Sequence, residues 1–272
     1  MGLFNNYDKP GKGIDKDAPK KKGIFLYFEL LWRKLGLLIK SNILYFLVSI
    51  PVILIYHFAS WFALANLTRS GNPSQHMILI SAVLLTVLWG TGPVSCGYAY
   101  LMRNFAREEH VFLTSDFFEK IKENFKLGII MLAADIAVLF TGTVSLRFYM
   151  QLYKNGQVFA KYIICILIIA AMFYTFMHYY VYEFAVTFEN KALDTIKNSF
   201  IMAAASMPMN LFLTLFVSLV TYLAFGFFTP IAIVFLSLFF WISLMRFPID
   251  FYAARVIKRK LINNIQTNQN GD

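Results

Sequence analysis

Charged residues are scarce in this sequence. Asp, Glu, Lys and Arg together make up 15% of its 272 residues, whereas soluble domains carry about a quarter. Four stretches contain no such residue: 41–68, 77–102, 162–182 and 198–245. A fifth, 127–146, contains only Asp135. This scarcity excludes an ordinary soluble domain, because about 20 successive apolar residues are enough for a helix to cross a bilayer.

Cysteines and catalytic motifs are also rare. Cys96 and Cys165, the only two cysteines, both lie in charge-free stretches, which argues against a disulfide framework and against a thiol metal site. The sequence has no His-Glu-x-x-His, Gly-x-Ser-x-Gly, Walker A or Gly-x-Gly-x-x-Gly motif. Asp135 is the only acid well inside an apolar stretch, which disfavours an intramembrane protease with paired aspartates. We therefore expect no enzyme activity and no cofactor.

The apolar stretches predict an all-α polytopic membrane bundle. They show no alternation of polar and apolar residues, which a transmembrane barrel would require. Four stretches have the length of one span, and residues 198–245 are long enough for two. Gly226–Pro230 divides this last stretch, because Gly and Pro interrupt helices. Six transmembrane helices are therefore predicted, at about residues 41–65, 77–102, 127–147, 161–183, 201–225 and 229–247.

The predicted segments outside the membrane are short. Residues 1–22 form a polar basic arm, residues 23–40 an interfacial amphipathic helix, and residues 248–272 a basic tail. In the interfacial helix, Glu29 and Arg33 are four residues apart and can pair on one face.

A second amphipathic helix is predicted between spans 2 and 3. The segment "TSDFFEKIKENFK" (Thr114–Lys126) places phenylalanines on one side and lysines on the other. Asp116 is its predicted N-cap, with Glu119 three residues later as in a capping box. Such a helix can seal the bundle at the membrane surface, or it can dock a partner protein.

The basic residues predict the orientation. With both termini in the cytoplasm, 21 of the 25 Lys and Arg residues lie on the cytoplasmic side, as the positive-inside rule requires. The net charge of +10 is then explained by contact with anionic lipids. We expect no binding of nucleic acid, because that would need a soluble basic face.

Span 2 contains helix-breaking residues. Pro93 has no N–H, so the carbonyl of Trp89 four residues earlier loses its partner, and Gly90 and Gly92 soften the helix further. The segment is either a packing kink or a hinge beside a site, since interrupted helices line many transporter sites.

Asp135 is the clearest candidate for a functional side chain. It lies eight residues into span 3, roughly 12 Å from the cytoplasmic edge. We expect it to be neutral, because desolvation disfavours its charge, and to donate a hydrogen bond to the Trp89 carbonyl or to Thr91. It is either structural or part of a proton- or cation-linked site. His57 and His178 are expected to be packed or interfacial side chains.

The end of span 2 carries charges of both signs, where a surface that binds only lipid would be basic. This suggests a surface that docks a partner protein. The competing interpretation is internal pairing, of Arg103 or Arg107 with Glu183, or of Glu108 with Arg246. The candidate docking residues are Arg103, Arg107, Glu108, Glu109 and Asp116.

Several segments resemble the YesL-like bacterial membrane proteins. They are "LFNNYDKPGKG" near the start, "SIP" (Ser49–Pro51), "GP" (Gly92–Pro93) and "LMRNFAREEHVFLTSDFFEKIKENFK" (101–126). The resemblance runs from residue 3 to about residue 206, and the block at 101–126 is its most specific part. It implies an integral protein of the bacterial plasma membrane, from a family whose genes often lie beside carbohydrate ABC importers.

Two functions are compatible with these features. The first is an accessory or regulatory subunit that binds membrane lipids and a partner such as the permease of a carbohydrate ABC importer. The second is a stand-alone proton- or cation-linked transporter or channel that uses Asp135. Self-association into a homo-oligomer is compatible with either.

Overall fold

A computed structural model describes residues 23–68, 71–189 and 191–262, and these residues are helical with short connections and no strand. The predicted basic arm at 1–22 and the last ten residues of the predicted tail lie outside the described residues. The helices are α1 (Ile24–Arg33), α2 (Leu35–Leu67), α3 (Gln75–Leu88), α4 (Pro93–Arg107), α5 (Leu113–Glu123), α6 (Phe125–Lys154), α7 (Ala160–Thr187), α8 (Ala192–Ala205), α9 (Met207–Gly226), α10 (Pro230–Leu236) and α11 (Ile242–Ile257). Two π-helical turns, Ser237–Trp241 and Lys258–Ile262, precede and follow α11.

The prediction of an all-α membrane bundle is confirmed. Within the described residues, five helices are long and apolar enough to cross a membrane: α2, α6, α7, α9 and the continuous run from α10 through α11. Helices α3 and α4 together form a sixth candidate span, bent by 62° at the break between them. The chain is therefore a multi-pass membrane protein by the length and composition of its helices.

The structure moves two predicted boundaries. Helix α1 ends at Arg33 and α2 begins at Leu35, so residues 35–40 belong to the first span and not to the interfacial helix. The predicted fifth span at 201–225 is divided between α8 and α9, which meet at Ser206. Pro208 lies in the first turn of α9, where its missing N–H costs no helical hydrogen bond, so a new helix starts there.

Helix α1 has the composition of an interfacial helix. Its exposed side carries large apolar residues, among them Phe25, Phe28 and Trp32. The predicted pair is present, with Arg33 Nη1 3.5 Å from Glu29 Oε1. The exposed apolar face and the single charged pair suit a helix that lies in the membrane surface.

Helix α4 lies at the centre of the bundle. Thirteen of its fifteen residues are buried, and it packs against α2, α5, α6, α7 and α11. A Cβ on Gly97 would meet the carbonyl oxygen of Phe117 at 2.4 Å, so α4 and α5 approach each other closely. We call the end of the bundle that carries α5 and α8 the basic end. The π-helical turn that follows α11 reaches it as well, since Lys260 Nζ donates to the Ala205 carbonyl.

The predicted orientation can be tested by labelling engineered cysteines. Residues 71, 112 and 155 are all exposed, so their labelling reports only the side of the membrane. If the basic end is cytoplasmic, an impermeant maleimide added to intact cells will label cysteines at 71 and 155, and will not label one at 112. Cys165, which is exposed, is first replaced by serine. The reverse labelling pattern would overturn the topology.

Candidate functional site

Asp135 is a fully buried side chain at the centre of a hydrogen-bond network. It is on α6 and has no exposed surface. The Tyr56 hydroxyl from α2 donates to its Oδ2 at 3.1 Å, and the Tyr174 hydroxyl from α7 donates to its Oδ1 at 2.6 Å. Three different spans therefore meet at this carboxyl group.

His178 completes the network. Its Nε2 lies 2.9 Å from Asp135 Oδ1, although the contact lacks the alignment of a regular hydrogen bond. Its Nδ1 lies 2.9 Å from the Tyr174 carbonyl oxygen. A carbonyl oxygen can only accept, so Nδ1 must carry a proton. A neutral His178 would then point a bare Nε2 at a carboxylate, which is repulsive. The pair must therefore hold one further proton, on Nε2 or on the carboxyl group.

Trp89 covers the imidazole of His178. The two rings are stacked, with centroids 5.7 Å apart and an interplanar angle of 18°. The indole N–H donates to the Thr175 hydroxyl at 2.9 Å, which fixes the ring. We call Asp135, His178, Tyr56, Tyr174 and Trp89 the Asp135 centre.

The predicted hydrogen bond from Asp135 to the Trp89 carbonyl or to Thr91 is wrong. The Asp135 oxygens are occupied by the two tyrosines and His178. Thr91 belongs to another network, in which its hydroxyl donates to Tyr45 at 3.0 Å and its N–H to Ser95 Oγ at 2.7 Å. The break in span 2 frees backbone groups, but side chains from two other helices, α2 and α7, reach the acid instead.

The break in span 2 is a rigidly packed turn. Helix α3 ends at Leu88 and α4 starts at Pro93, so Pro93 does not kink a continuous helix. Gly90 and Gly92 have φ of 84° and 65°, which favours glycine. A Cβ on Gly128 of α6 would lie 2.3 Å from Pro93 Cα. Of the predicted hinge residues, Gly92 and Pro93 are therefore held against α6, and Gly90 lies against Ser95 and Tyr182.

A buried ion pair lies on the basic side of this break. Arg246 Nε is 3.4 Å from Asp250 Oδ2, and both side chains are 1% exposed. Arg246 also donates to the Val87 carbonyl at 3.0 Å, at the C-terminal end of α3, where a cation is favourable. Helix α11 thus continues to Ile257 through residues that were assigned to the basic tail.

The candidate docking residues differ in their exposure and in their contacts. Arg103 is buried and its Nη1 donates to the Val186 carbonyl and to the Thr187 hydroxyl. Glu108 accepts from Arg33. Arg107 is half-buried and Glu109 is exposed.

Asp116 does not serve as the N-cap of α5. The helix begins at Leu113, and Asp116 Oδ2 instead accepts from the Phe112 N–H at 2.9 Å. Of the predicted internal pairs, that of Glu108 with Arg246 is wrong, because Arg246 pairs with Asp250 and Glu108 pairs with Arg33. Glu183 does interact electrostatically with Arg103 and Arg107, as the other predicted pairing requires. Of the five candidate docking residues, Glu108 and Glu109 are exposed, Arg107 and Asp116 are half-buried, and Arg103 is buried.

His178 was missed as a member of the site, although the sequence contains a signal for it. Asp135 is ten residues from the start of α6, and His178 is nine residues from the end of α7. Successive spans run in opposite directions, and each residue advances about 1.5 Å. The two side chains therefore lie at nearly the same depth, and the predicted spans, 127–147 and 161–183, already placed them within one helical turn of each other.

Two open spaces adjoin this region. A cavity of about 450 Å³ lies between α6 and α7 on the far side from the basic end, and Tyr174 and Trp89 line it with apolar residues and a few hydroxyls. A cleft of about 620 Å³ lies at the basic end, lined by Lys120, Glu123, Glu189 and other residues.

Comparisons with known proteins assign no relative. The chain matches no protein-family model, and no curated protein or solved structure is significantly similar to it. Its function must therefore be inferred from the chemistry of the Asp135 centre and of the surfaces around it.

Proposed function

We propose that this integral membrane protein is a proton-linked transporter, with Asp135 and His178 as its proton-binding pair. The observation that supports this is the contact between two ionisable side chains from adjacent spans, both without exposed surface. Ionisable groups inside a membrane are costly, and where they persist they mark ion or proton pathways. The broken span that contacts the centre through Trp89 is also typical of transporter sites.

The chemistry of the pair suggests how protons could be linked to movement. With its shared proton, the pair is neutral overall. Loss of that proton leaves one negative charge among apolar neighbours, with only the hydroxyls of Tyr56 and Tyr174 to stabilise it. A buried unpaired charge is costly. The deprotonated centre would therefore favour a rearrangement that readmits a proton or a cation.

Proton flux tests the proposal. In liposomes that contain a pH-sensitive dye, with a potassium diffusion potential as driving force, wild-type protein is expected to acidify the interior. Asp135→Asn and His178→Gln should reduce the rate to that of protein-free liposomes. In Asp135→Asn, the amide oxygen can still accept from one of the two tyrosines, so the fold should be retained.

The matched control is Thr143→Ala on the same helix. Thr143 is also buried, but its hydroxyl donates only to the Leu139 carbonyl of its own helix. This variant should keep the wild-type flux. Equal flux through the wild-type protein and Asp135→Asn would contradict the proposal.

A second candidate function is that of an accessory subunit of a carbohydrate importer in the bacterial plasma membrane, with the basic end and both termini in the cytoplasm. Its support is the resemblance to the YesL-like proteins at 101–126, which includes the exposed loop between α4 and α5. Glu109, His110 and Phe112 are exposed there, and a cleft with lysines and glutamates opens at the C-terminal end of α5. Exposed charges of both signs suit recognition of a protein partner.

Charge reversal separates this candidate from the first. Glu109→Lys combined with Glu119→Lys should leave the folded yield unchanged and remove an importer permease from mild-detergent preparations of the native membrane. Reversal of Lys154 to glutamate, at the opposite end of the bundle, is the control and should leave co-purification intact. Undiminished recovery of the permease with the double variant would count against this surface.

A further inference from the structure

A line of polar side chains leads from the Asp135 centre toward the basic end. Tyr174, His178 and Tyr182 follow each other at intervals of four residues on α7, so they share one face and are spaced by about 6 Å along it. The ring centroids of Tyr174 and His178 are 4.7 Å apart, and those of His178 and Tyr182 are 6.2 Å apart. Glu183 follows directly, one turn before the end of the helix at Thr187.

Several polar atoms in this region have no hydrogen-bond partner among the described residues. They are the Tyr182 hydroxyl, both carboxylate oxygens of Glu183 and both of Asp250. Each of these side chains is buried, with at most 1% exposure. Buried polar atoms without partners are rare in native proteins and costly, so a cluster of five on neighbouring helices requires an explanation.

Positive charges surround the two carboxylates. Arg246 on α11 lies 3.4 Å from Asp250, and its guanidinium carbon is 5.7 Å from the Tyr182 ring centroid. Arg103 and Arg107 of α4 interact electrostatically with Glu183. Tyr45 of α2 and Cys96 of α4 also face Tyr182. The arginines attract both carboxylates by Coulomb interaction, so they would repel a metal cation.

We propose that Glu183, Asp250 and Tyr182 form the proton entry from the basic end to the Asp135 centre. This inference rests on the proposed function. A proton from the aqueous side forms an O–H bond on Glu183 or Asp250. That bond breaks as the Tyr182 oxygen takes the proton up, and Tyr182 releases a proton to the His178–Asp135 pair. One bond to hydrogen forms for each that breaks, so no other reactant is needed.

The cavity on the other side reaches the centre through Tyr174, whose hydroxyl donates to Asp135, but it offers no carboxylate to take up a proton. The described residues that line it include Thr141, Thr143 and Ser145, and none of them is charged. The hydroxyls of Thr141 and Thr143 donate to carbonyls of their own helix. Protons should therefore reach the centre from the basic end.

Stopped-flow fluorescence in nanodiscs tests the entry. Trp89 is stacked on His178, so a change in the charge of His178 should change the indole emission after a pH jump. The contribution of Trp89 is the fluorescence trace of the wild-type protein minus that of Trp89→Phe. Glu183→Gln and Tyr182→Phe should retain its final amplitude and slow its appearance roughly a hundredfold, the lower range for a positioned proton donor.

Tyr179→Phe is the matched control. Tyr179 is on the same helix, but its hydroxyl bonds Thr214, so the rate should not change. Asp250→Asn would leave the buried Arg246 without its ion-pair partner and could unfold the protein. The test therefore uses variants of Glu183 and Tyr182. Wild-type rates in both of their variants would overturn the entry while leaving the proposed function intact. A wild-type trace identical to that of Trp89→Phe would overturn both.

Discussion

Gly128→Ala is expected to remove most of the folded protein. A Cβ on Gly128 would lie 2.3 Å from Pro93 Cα, 2.4 Å from Pro93 N and 2.9 Å from the Gly92 carbonyl carbon. All three are backbone atoms, and Pro93 and Gly92 are fixed in the turn between α3 and α4. Overpacking of a rigid core costs about 3 kcal/mol, and for a chain of this size that corresponds to a fall of about 10 °C in the thermal midpoint.

Gly142→Ala provides the control for this variant. Gly142 is on the same helix, and a Cβ there would meet no atom within 4 Å. Alanine also favours the helix over glycine by about 1 kcal/mol, so the midpoint should stay constant or rise. Folded yield after size exclusion and the thermal midpoint in detergent are the two measurements. Equal midpoints for the two variants would show that α6 does not hold the break in place.

Asn42→Leu should have an effect of similar size. The Asn42 side-chain amide donates to the carbonyls of Ser237 and Leu238, both at 2.7 Å, and its oxygen accepts from the Ser243 N–H at 2.7 Å. These three contacts satisfy the backbone around the π-helical turn in the last span, where the regular helical pattern is interrupted. Leucine would remove all three, and each buried polar group left unpaired costs about 1–3 kcal/mol. We expect a loss of about 4 kcal/mol in the free energy of unfolding.

The neighbouring Ser41 offers a control. Ser41 is also buried on α2, but its hydroxyl has no hydrogen-bond partner among the described residues. Ser41→Ala removes an unsatisfied polar atom, so the protein should be unchanged or slightly more stable. The measurement is the thermal midpoint of each variant. If the midpoint of Asn42→Leu equals that of Ser41→Ala within experimental error, Asn42 does not stabilise the π-helical turn.

The sequence could identify Asp135 but not its partners. An acid in an otherwise apolar span is conspicuous at any position. His178 was set aside because a histidine with aromatic neighbours is usually packed, and only the equal depth of the two residues in adjacent spans points to a pair. Tyr56 and Tyr174 carry no signal at all, since tyrosine is common in this sequence, with 15 examples.

The charged residues at the end of span 2 show that the sequence does not predict which side chains are exposed. Four charged residues lie close together in the sequence, which suggests one surface: Arg103, Arg107, Glu108 and Glu109. The left-handed conformation of Glu108, with φ of 62°, ends α4 and turns the chain. Arg103, before that turn, is buried against the end of α7, Arg107 is half-buried, and Glu109 after the turn is exposed. The exposure of these charges therefore depends on the end of α4 and its packing, which the sequence does not show.

The sequence by itself determined the class of the protein and the positions of its spans. A bilayer requires long charge-free helices. Each such helix can be predicted from its own residues, without knowledge of the rest of the fold. The tertiary structure decided which side chains form the centre. Asp135 meets His178 and two tyrosines because α2, α6 and α7 pack side by side with a fixed rotation and depth. Arg246 reaches the end of α3 only because α11 passes the break in span 2. The rotation and depth of the helices depend on small residues such as Gly128, which allow two backbones to touch. Such contacts join positions that are distant in the sequence, so they produce no periodic pattern along the chain.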